Sequence, residues 1–229
     1  AMLYHTANAL EPLHPQFDYK TNTVSVVNDR YTAYDGLTLT AEVYDLQSRK
    51  LWSKSQQVSV PADGVANDVF AIDFAQGELP SPLTQVHFIK LRLTDATGRL
   101  VGDNFYWRSL DRDNGERYHA SGPCAAGFKS LADMPQAKVA TKVKQGKNKT
   151  IEVEVKNTGK TIAFFLQLQL KDEQGSSVKP CFMTDNFFSL LPGEKKTVVI
   201  DPSAAKAKAG TLLLRGWNIP TRTMKHNSK

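Results

Sequence analysis

Paired carboxylates are the first residues of this chain that could do chemistry, because acid–base hydrolysis uses one carboxyl group as the acid and another as the base. Glu152 and Glu154 form the clearest pair. They alternate with Ile151, Val153 and Val155, which is typical of a strand with one buried face. Both glutamates would then share the face in solvent. A catalytic acid needs a desolvated carboxyl group, so the pair does not predict a catalytic site.

The spacing of histidines and cysteines argues against a metal site. The histidines occur singly, at His5, His14, His87, His119 and His226, and the cysteines are Cys124 and Cys181. Neither set has the short spacing of metal ligands. We therefore predict no metal, no cofactor and no catalytic residue. His87 falls on a predicted strand, and we interpret it as a hydrogen-bonded polar side chain. For the two cysteines we favour free thiols over a single bridge.

Loop motifs for calcium and nucleotides are broken or missing. Residues 111–115 resemble the start of a calcium-binding loop, but the glycine comes one position early and no glutamate occupies the twelfth position. The sequence has no Gly-x-Ser-x-Gly elbow, no phosphate-binding glycine loop and no dinucleotide fingerprint. No window approaches the roughly 18 apolar residues of a membrane span. Residues 111–115 therefore predict a solvated connection.

Sugar binding is the remaining chemistry, since aromatic faces can stack on sugar rings. The candidates are Trp52, Trp107 and Trp217. Trp107 and Trp217 stand at the ends of predicted strands, close to predicted domain boundaries. We therefore favour domain packing as their role, with sugar stacking as the alternative.

Charge divides the chain into two halves. Residues 1–110 hold 9 basic and 12 acidic residues, a net charge of −3, whereas residues 111–229 hold 20 and 11, a net charge of +9. A basic half could bind nucleic acid or an anionic surface. Its lysines, however, are scattered through predicted strands and turns, without a recognition helix or a stacking platform. We favour a solvated face, with no nucleic acid and no membrane as partners.

Short alternating segments position these side chains. They fall at residues 23–28, 37–44, 50–60, 69–74, 86–93 and 100–107, and again at 151–155, 162–170, 178–182, 187–191, 197–200 and 211–217. Strands at this spacing leave no room for crossover helices. The fold class is therefore all-β, with two consecutive immunoglobulin-like β-sandwiches. We expect tight hairpins at residues 95–98 and 157–160.

The aromatic run at residues 105–107 marks the end of the first sandwich, because a polar stretch typical of a linker follows it. We predict a short helix and connector at residues 1–13, sandwiches at 14–110 and 137–220, a linker at 111–136 and a flexible tail at 221–229. The helix must end before Pro12, since the residue before a proline is disfavoured in the α region.

Several stretches, taken in order, resemble the end of glycoside hydrolase family 2 enzymes of the exo-β-D-glucosaminidase and β-mannosidase subgroup. They are Ala9-Leu10-Glu11-Pro12-Leu13-His14-Pro15-Gln16-Phe17-Asp18-Tyr19, Asn22-Thr23-Val24-Ser25-Val26-Val27-Asn28, Asn104-Phe105-Tyr106-Trp107, Leu131-Ala132-Asp133-Met134-Pro135, Thr161-Ile162-Ala163-Phe164-Phe165-Leu166 and Asp185-Asn186-Phe187-Phe188-Ser189-Leu190-Leu191-Pro192-Gly193-Glu194. The sequence departs from the pattern at residues 114–128, which are longer, and at Cys181, where an apolar residue is expected.

The resemblance implies that these are the last two domains of a retaining hydrolase, and that residues 2–11 end the final helix of its (β/α)8 barrel. The two catalytic glutamates of such enzymes lie on the barrel, so none is carried over to this chain. The partner is then that barrel, and the function is to pack on it and stabilise it. The alternative is a carbohydrate-binding module with an oligosaccharide as partner. We expect the parent enzyme to be periplasmic or secreted.

Overall fold

The structure, a computed structural model, describes residues 1–74, 83–109, 124–206 and 209–225. Two compact units make up the chain: Ala7–Met134 is one, and Pro135–Lys229 together with Ala1–Thr6 is the other. Each contains a β-sandwich, so the all-β prediction is confirmed. The calcium-like residues 111–115, His119 and His226 lie outside the described residues, as does the side chain of Cys124.

The first sandwich has two antiparallel sheets. Its strands are β1 (Leu13–Phe17), β2 (Thr23–Asn28), β3 (Tyr34–Tyr44), β4 (Lys50–Val60), β5 (Gly64–Ala71), β6 (Val86–Thr94) and β7 (Leu100–Ser109). One sheet has the order β1-β2-β5 and the other the order β4-β3-β6-β7. Alternate residues of β2, β3 and β6 are buried between the sheets, for example Val26, Leu39 and Leu91. The alternation seen in the sequence therefore places this core correctly.

The second sandwich is built in the same way. Its strands are β8 (Val139–Gln145), β9 (Ile151–Asn157), β10 (Ala163–Asp172), β11 (Phe182–Met183), β12 (Phe188–Leu190), β13 (Lys195–Asp201), β14 (Ala209–Gly216) and β15 (Ile219–Lys225). The sheets have the orders β11-β13-β9-β8 and β12-β10-β14-β15. Their facing side chains form one core that includes Val153, Leu168, Val198 and Leu214.

The predicted hairpin at residues 157–160 is wrong. Strands β9 and β10 belong to different sheets, so these residues connect one sheet to the other. The physical reason is Asn157, whose side chain is fully buried. It stabilises the corner, which is the segment where the chain crosses from one sheet to the other. Its Nδ2 donates to the carbonyl oxygens of Thr161 at 2.7 Å and Leu190 at 2.9 Å, and its Oδ1 accepts from the Gly159 amide at 3.0 Å. The hairpin predicted at residues 95–98, in contrast, joins β6 and β7 and is confirmed.

Asn28 repeats this corner in the first sandwich. It is also fully buried, and its Nδ2 donates to the carbonyl oxygens of Thr32 at 2.9 Å and Pro61 at 2.7 Å. Its Oδ1 accepts from the Arg30 amide at 3.1 Å. The distant acceptor lies 33 residues after the asparagine here and 33 residues after Asn157 in the second sandwich. The two domains thus share a structural repeat that their sequences do not display.

Other corrections concern segments without clear alternation. The prediction of a flexible tail is wrong for residues 221–225, because they form the second half of β15 and pair with β14. The strand expected at 178–182 is reduced to Phe182–Met183, and that expected at 69–74 ends at Ala71. The last part of the predicted linker, Cys124–Asp133, is a 3₁₀-helix that belongs to the first compact unit. Ser109 Oγ donates to the Gly127 carbonyl oxygen at 2.8 Å and ties this helix to β7.

Helix α1 (Met2–Ala9) precedes the first sandwich in the chain. Its first residues nevertheless belong to the compact unit of the second sandwich. No residue of α1 is fully buried. The aliphatic side chains of Met2 and Leu3 are 83% and 74% exposed. The ring contacts of Tyr4 and His5 in this helix are part of the site below.

Candidate functional site

The three predicted tryptophans do not form a common site. Trp52 on β4 faces the first core, with its ring centroid 6.4 Å from that of Phe70. Trp107 on β7 follows the core-facing Tyr106, so it lies on the opposite face of that sheet. Trp217 is 55% exposed in the turn between β14 and β15 of the second unit. Domain packing and sugar stacking both remain predictions for these side chains.

Glu42 lies on the outer face of the first sandwich, where two partly exposed cations, Lys50 and Arg92, surround it. Its side chain accepts hydrogen bonds from Lys50 Nζ and from the Tyr44 hydroxyl, both at 3.0 Å, and from Arg92. Glu42 is only 8% exposed. Burial alone would raise its pKa, but the hydrogen bonds and positive charges outweigh burial and lower the pKa. This carboxylate is therefore held ionised, as a structural ion pair rather than a general acid.

We expect Glu42→Gln to cost about 1–3 kcal/mol of stability at pH 7, because hydrogen bonds to a charged group are lost. A lowered folded-state pKa stabilises the fold above the unfolded pKa of glutamate, and this stabilisation is lost as the pH falls through the folded value. The variant should therefore lose stability less steeply than the wild type below about pH 4.5. Urea unfolding across this range measures both effects. Glu154→Gln, on an exposed face, is the control, and equal acid slopes for Glu42→Gln and the wild type would contradict the prediction.

His87 differs from its prediction. It is fully buried on β6, and no described residue forms a hydrogen bond of good geometry to either ring nitrogen. The ring centroid lies 5.2 Å from that of Phe74. Burial lowers the pKa of His87 to about 4, with a further contribution from the charge of Arg108, and the nearby backbone of Thr84 opposes this only weakly. Among the described residues, His87 therefore lacks the well-formed hydrogen bond that was predicted, because the strand pattern does not reveal which groups surround an inward-facing residue.

The residues of the stretch 185–188 in the second sandwich make different contacts. Asp185 pairs with Lys196. The amide of Asn186 accepts from the Leu168 N–H at 2.8 Å and donates to the Leu168 carbonyl oxygen at 3.0 Å, as a neighbouring strand would. Phe188 then enters the core. These contacts fix the backbone on either side of Phe187.

Phe165 and Phe187 form an aromatic ledge on the second sandwich, with ring centroids 5.4 Å apart. Both residues have positive φ, 54° and 59°. Such values are uncommon for bulky side chains and persist only where surrounding contacts enforce them. At Phe165 the cause is a break in the pairing register of β10 with β12. Neither phenylalanine is fully buried.

Helix α1 covers this ledge with two rings. The Tyr4 centroid is 6.2 Å from that of Phe187, and the His5 ring stacks on Phe165 at 5.8 Å with an interplanar angle of 22°. Burial raises the pKa of Tyr4, although its hydrogen bond with the Asn186 side chain opposes this. Burial likewise lowers the pKa of His5, followed by the charge of the N-terminus. Both directions are those expected for side chains that are partly withdrawn from water. The sequence alone does not reveal this site, because its members lie far apart in the chain.

Four lysines of the second half lie on the outer face of β8, β9 and β13: Lys142, Lys144, Lys156 and Lys195. Two shallow grooves of about 100 and 210 Å³ cross this face. Glu154 lies between Lys195 at 2.9 Å and Lys142 at 3.9 Å. Such mixed, exposed charges are typical of a solvated face. The predicted outward position of Glu152 and Glu154 is confirmed.

Metal and redox chemistry have little support in the described part of the chain. Among its residues, no three His, Cys, Asp or Glu side chains converge as a metal site would require. Cys181 is a free thiol that packs against the second core, and burial raises its pKa. No helix in the described ranges is long and apolar enough to cross a membrane.

Comparison with known proteins identifies both sandwiches. Residues 20–110 match the mannosidase Ig/CBM-like domain, and residues 117–219 match the exo-β-D-glucosaminidase Ig-fold domain. The exo-β-D-glucosaminidase of Streptomyces avermitilis is 30% identical over 94% of this chain and 25% of its own length. The mannosylglycoprotein endo-β-mannosidase of Lilium longiflorum is 22% identical over 95% of this chain and 28% of its own length.

Solved structures support the same relationship. The exo-chitosanase CsxA of Amycolatopsis orientalis superposes with a TM-score of 0.76 at 27% identity, over 98% of this chain and 27% of that one. The class of protein is thus a tandem pair of immunoglobulin-like β-sandwiches. The chain belongs to the C-terminal domains of glycoside hydrolase family 2 enzymes, in the exo-β-D-glucosaminidase and β-mannosidase subgroup. It spans about a quarter of the length of the curated relatives it matches.

Proposed function

We propose that the two sandwiches are the non-catalytic accessory domains of a retaining glycoside hydrolase of the β-mannosidase or exo-β-glucosaminidase type. They pack on its (β/α)8 barrel and stabilise it. The observation that carries the proposal is the coverage: the relatives match nearly all of this chain, yet the match takes up only about a quarter of their length.

The charged groups on the described residues agree with a non-catalytic role. Glu152 and Glu154 lie on an exposed face, where neither is desolvated enough to act as a general acid. Glu42 is buried, but cations hold it ionised. The acid and base of the reaction would therefore be supplied by the barrel.

Titration of this chain into a separately expressed barrel of an exo-β-D-glucosaminidase relative tests the proposal. We expect heat of binding and a melting temperature of the barrel that rises by several degrees, because a ligand bound only to the folded state stabilises it. Lys144→Ala, on the solvated face, is the control and should bind like the wild type.

Three outcomes would overturn the proposal. Hydrolysis of an aryl β-mannoside or β-glucosaminide by this chain alone would make it catalytic. Absence of barrel binding would remove the accessory role. Heat from mannan, chitosan or chitin in place of barrel binding, with a fluorescence change lost in Trp217→Ala, would support the carbohydrate-binding alternative, which the exposed ring of Trp217 favours.

A further inference from the structure

One end of the first sandwich holds a buried cluster that the proposed function does not use. His87 on β6 and Arg108 on β7 lie directly opposite each other in neighbouring antiparallel strands. The ring of Phe74 packs on both: its centroid lies 5.2 Å from that of His87 and 4.8 Å from Cζ of Arg108. Arg108 also donates a hydrogen bond to the side chain of Asn22, in the turn between β1 and β2. This end cluster therefore joins the two sheets.

The end cluster has no good place for a proton on His87. The side chain is fully buried, and neither ring nitrogen has a well-formed hydrogen bond among the described residues. Arg108 opposite is already positive, and like charges directly opposite each other on paired strands are destabilising. The other titratable side chains beside the cluster are Asp73, which precedes Phe74, and Tyr106, two residues before Arg108 on β7. Of these three groups, Arg108 is the one whose charge acts on the pKa of His87.

Phe74 is the member of the end cluster that is free to move. Strand pairing holds the backbones of His87 and Arg108 in the middle of a ladder between β6 and β7. Phe74, in contrast, comes three residues after Ala71, the last paired residue of β5. Segments beyond the regular strands open at a lower free energy than the core does.

We propose that the end cluster is an acid-sensitive latch of the first sandwich. Uptake of a proton by His87 displaces Phe74 and admits water to the imidazole ring, while the core between the two sheets stays packed. The latch makes one end of this domain responsive to pH. The inference does not depend on which partner the domain binds.

Hydrogen exchange of the wild-type chain tests the latch. The Ile72 amide donates to the Asn22 carbonyl oxygen at 2.9 Å and lies beside the part that opens. The open form binds a proton below about pH 6.5, whereas the pKa of His87 in the closed form is about 4. Closure therefore weakens as the pH falls, and the protection factor of the Ile72 amide should drop roughly 25-fold between pH 7.5 and pH 5.

Two comparisons separate the latch from unfolding of the whole domain. At pH 5 the Ile72 amide should be at least about tenfold less protected than the slowest amides of β3, because only one end opens. In His87→Leu the drop with pH should disappear. Equal protection of Ile72 and β3 at pH 5 would overturn the latch, since the opening would then be global. A drop that persists in His87→Leu would overturn it as well.

A second test follows the imidazole of His87 by NMR, with its signal assigned by its loss in His87→Leu. In Phe74→Ala water reaches the ring, so the pKa of His87 should rise from about 4 toward 6.5. Phe70→Ala is the matched control, because it removes a ring of the same size that packs on Trp52 instead. It should leave the titration unchanged. A wild-type ring that titrates near pH 6.5, or an unchanged titration in Phe74→Ala, would show that Phe74 does not close over His87.

Discussion

Replacing Asn157 by alanine is expected to lower the free energy of unfolding of the second sandwich by about 2–4 kcal/mol. The asparagine is fully buried and makes three hydrogen bonds, two within the connecting segment and one to Leu190 in the other sheet. Its loss leaves the carbonyl oxygens of Thr161 and Leu190 without the amide donor that Asn157 supplies. An unsatisfied buried polar group costs about 1–3 kcal/mol.

Hydrogen exchange of the slowest amides of β10 measures this effect, because these amides report the opening of the second sandwich by itself. Asn28→Ala should produce a similar loss in the first sandwich, since the same three kinds of hydrogen bond are made there. Gln145→Ala and Asn67→Ala, at exposed positions of the two domains, are the controls. A cost below about 0.5 kcal/mol, the range of ordinary surface substitutions, would show that these corners are not structural.

The wild-type chain should lose about 3 kcal/mol of stability between pH 6.5 and pH 4 because of His87. Its folded-state pKa of about 4 lies below the unfolded value of 6.5, so the unfolded chain binds the proton more readily in this window. Stability therefore falls as the pH falls. The physical cause is burial, because the imidazolium would be formed away from water, beside the positive charge of Arg108.

His87→Leu removes the titrating group. In this variant, the stability of the first sandwich should change less with pH between pH 6.5 and pH 4. Urea unfolding followed by tryptophan fluorescence, with Trp217→Phe in the background, reports this domain through Trp52 and Trp107. Phe74→Leu is the matched control, since it alters packing against the same ring but leaves the histidine in place. It should lower stability by a similar amount at every pH. A variant lacking His87 that kept the wild-type slope would refute this origin of the pH dependence.

The strands that the sequence predicts best are those with one buried face. Leu166, Leu168 and Leu170 alternate with polar residues, and all three are buried in the second core. Period-two alternation is a local property, so it can be detected without knowledge of the partner strand. The sandwich class follows from many such strands, whereas the partners of each strand do not.

The failed predictions involve residues whose role depends on distant partners. Asn157 followed by Gly159 resembles a hairpin turn, yet its side chain bonds to Leu190 on another strand, and the chain crosses between sheets. Residues 221–225 are mostly polar, yet they form a strand because β14 offers an edge and Met224 packs in the core. The family resemblance located the stretch 185–188 but could not show what each residue does.

By itself, the sequence determined that the chain is all-β, that it holds two domains and that no catalytic constellation is evident in it. These conclusions rest on composition, alternation and residue spacing, which are local. Only the tertiary structure decided that Asn28 and Asn157 hold equivalent corners, that His87 is buried as a neutral ring and that α1 lies on Phe165 and Phe187. Each of these depends on which atoms meet across the fold, and that is set by the packing of whole sheets.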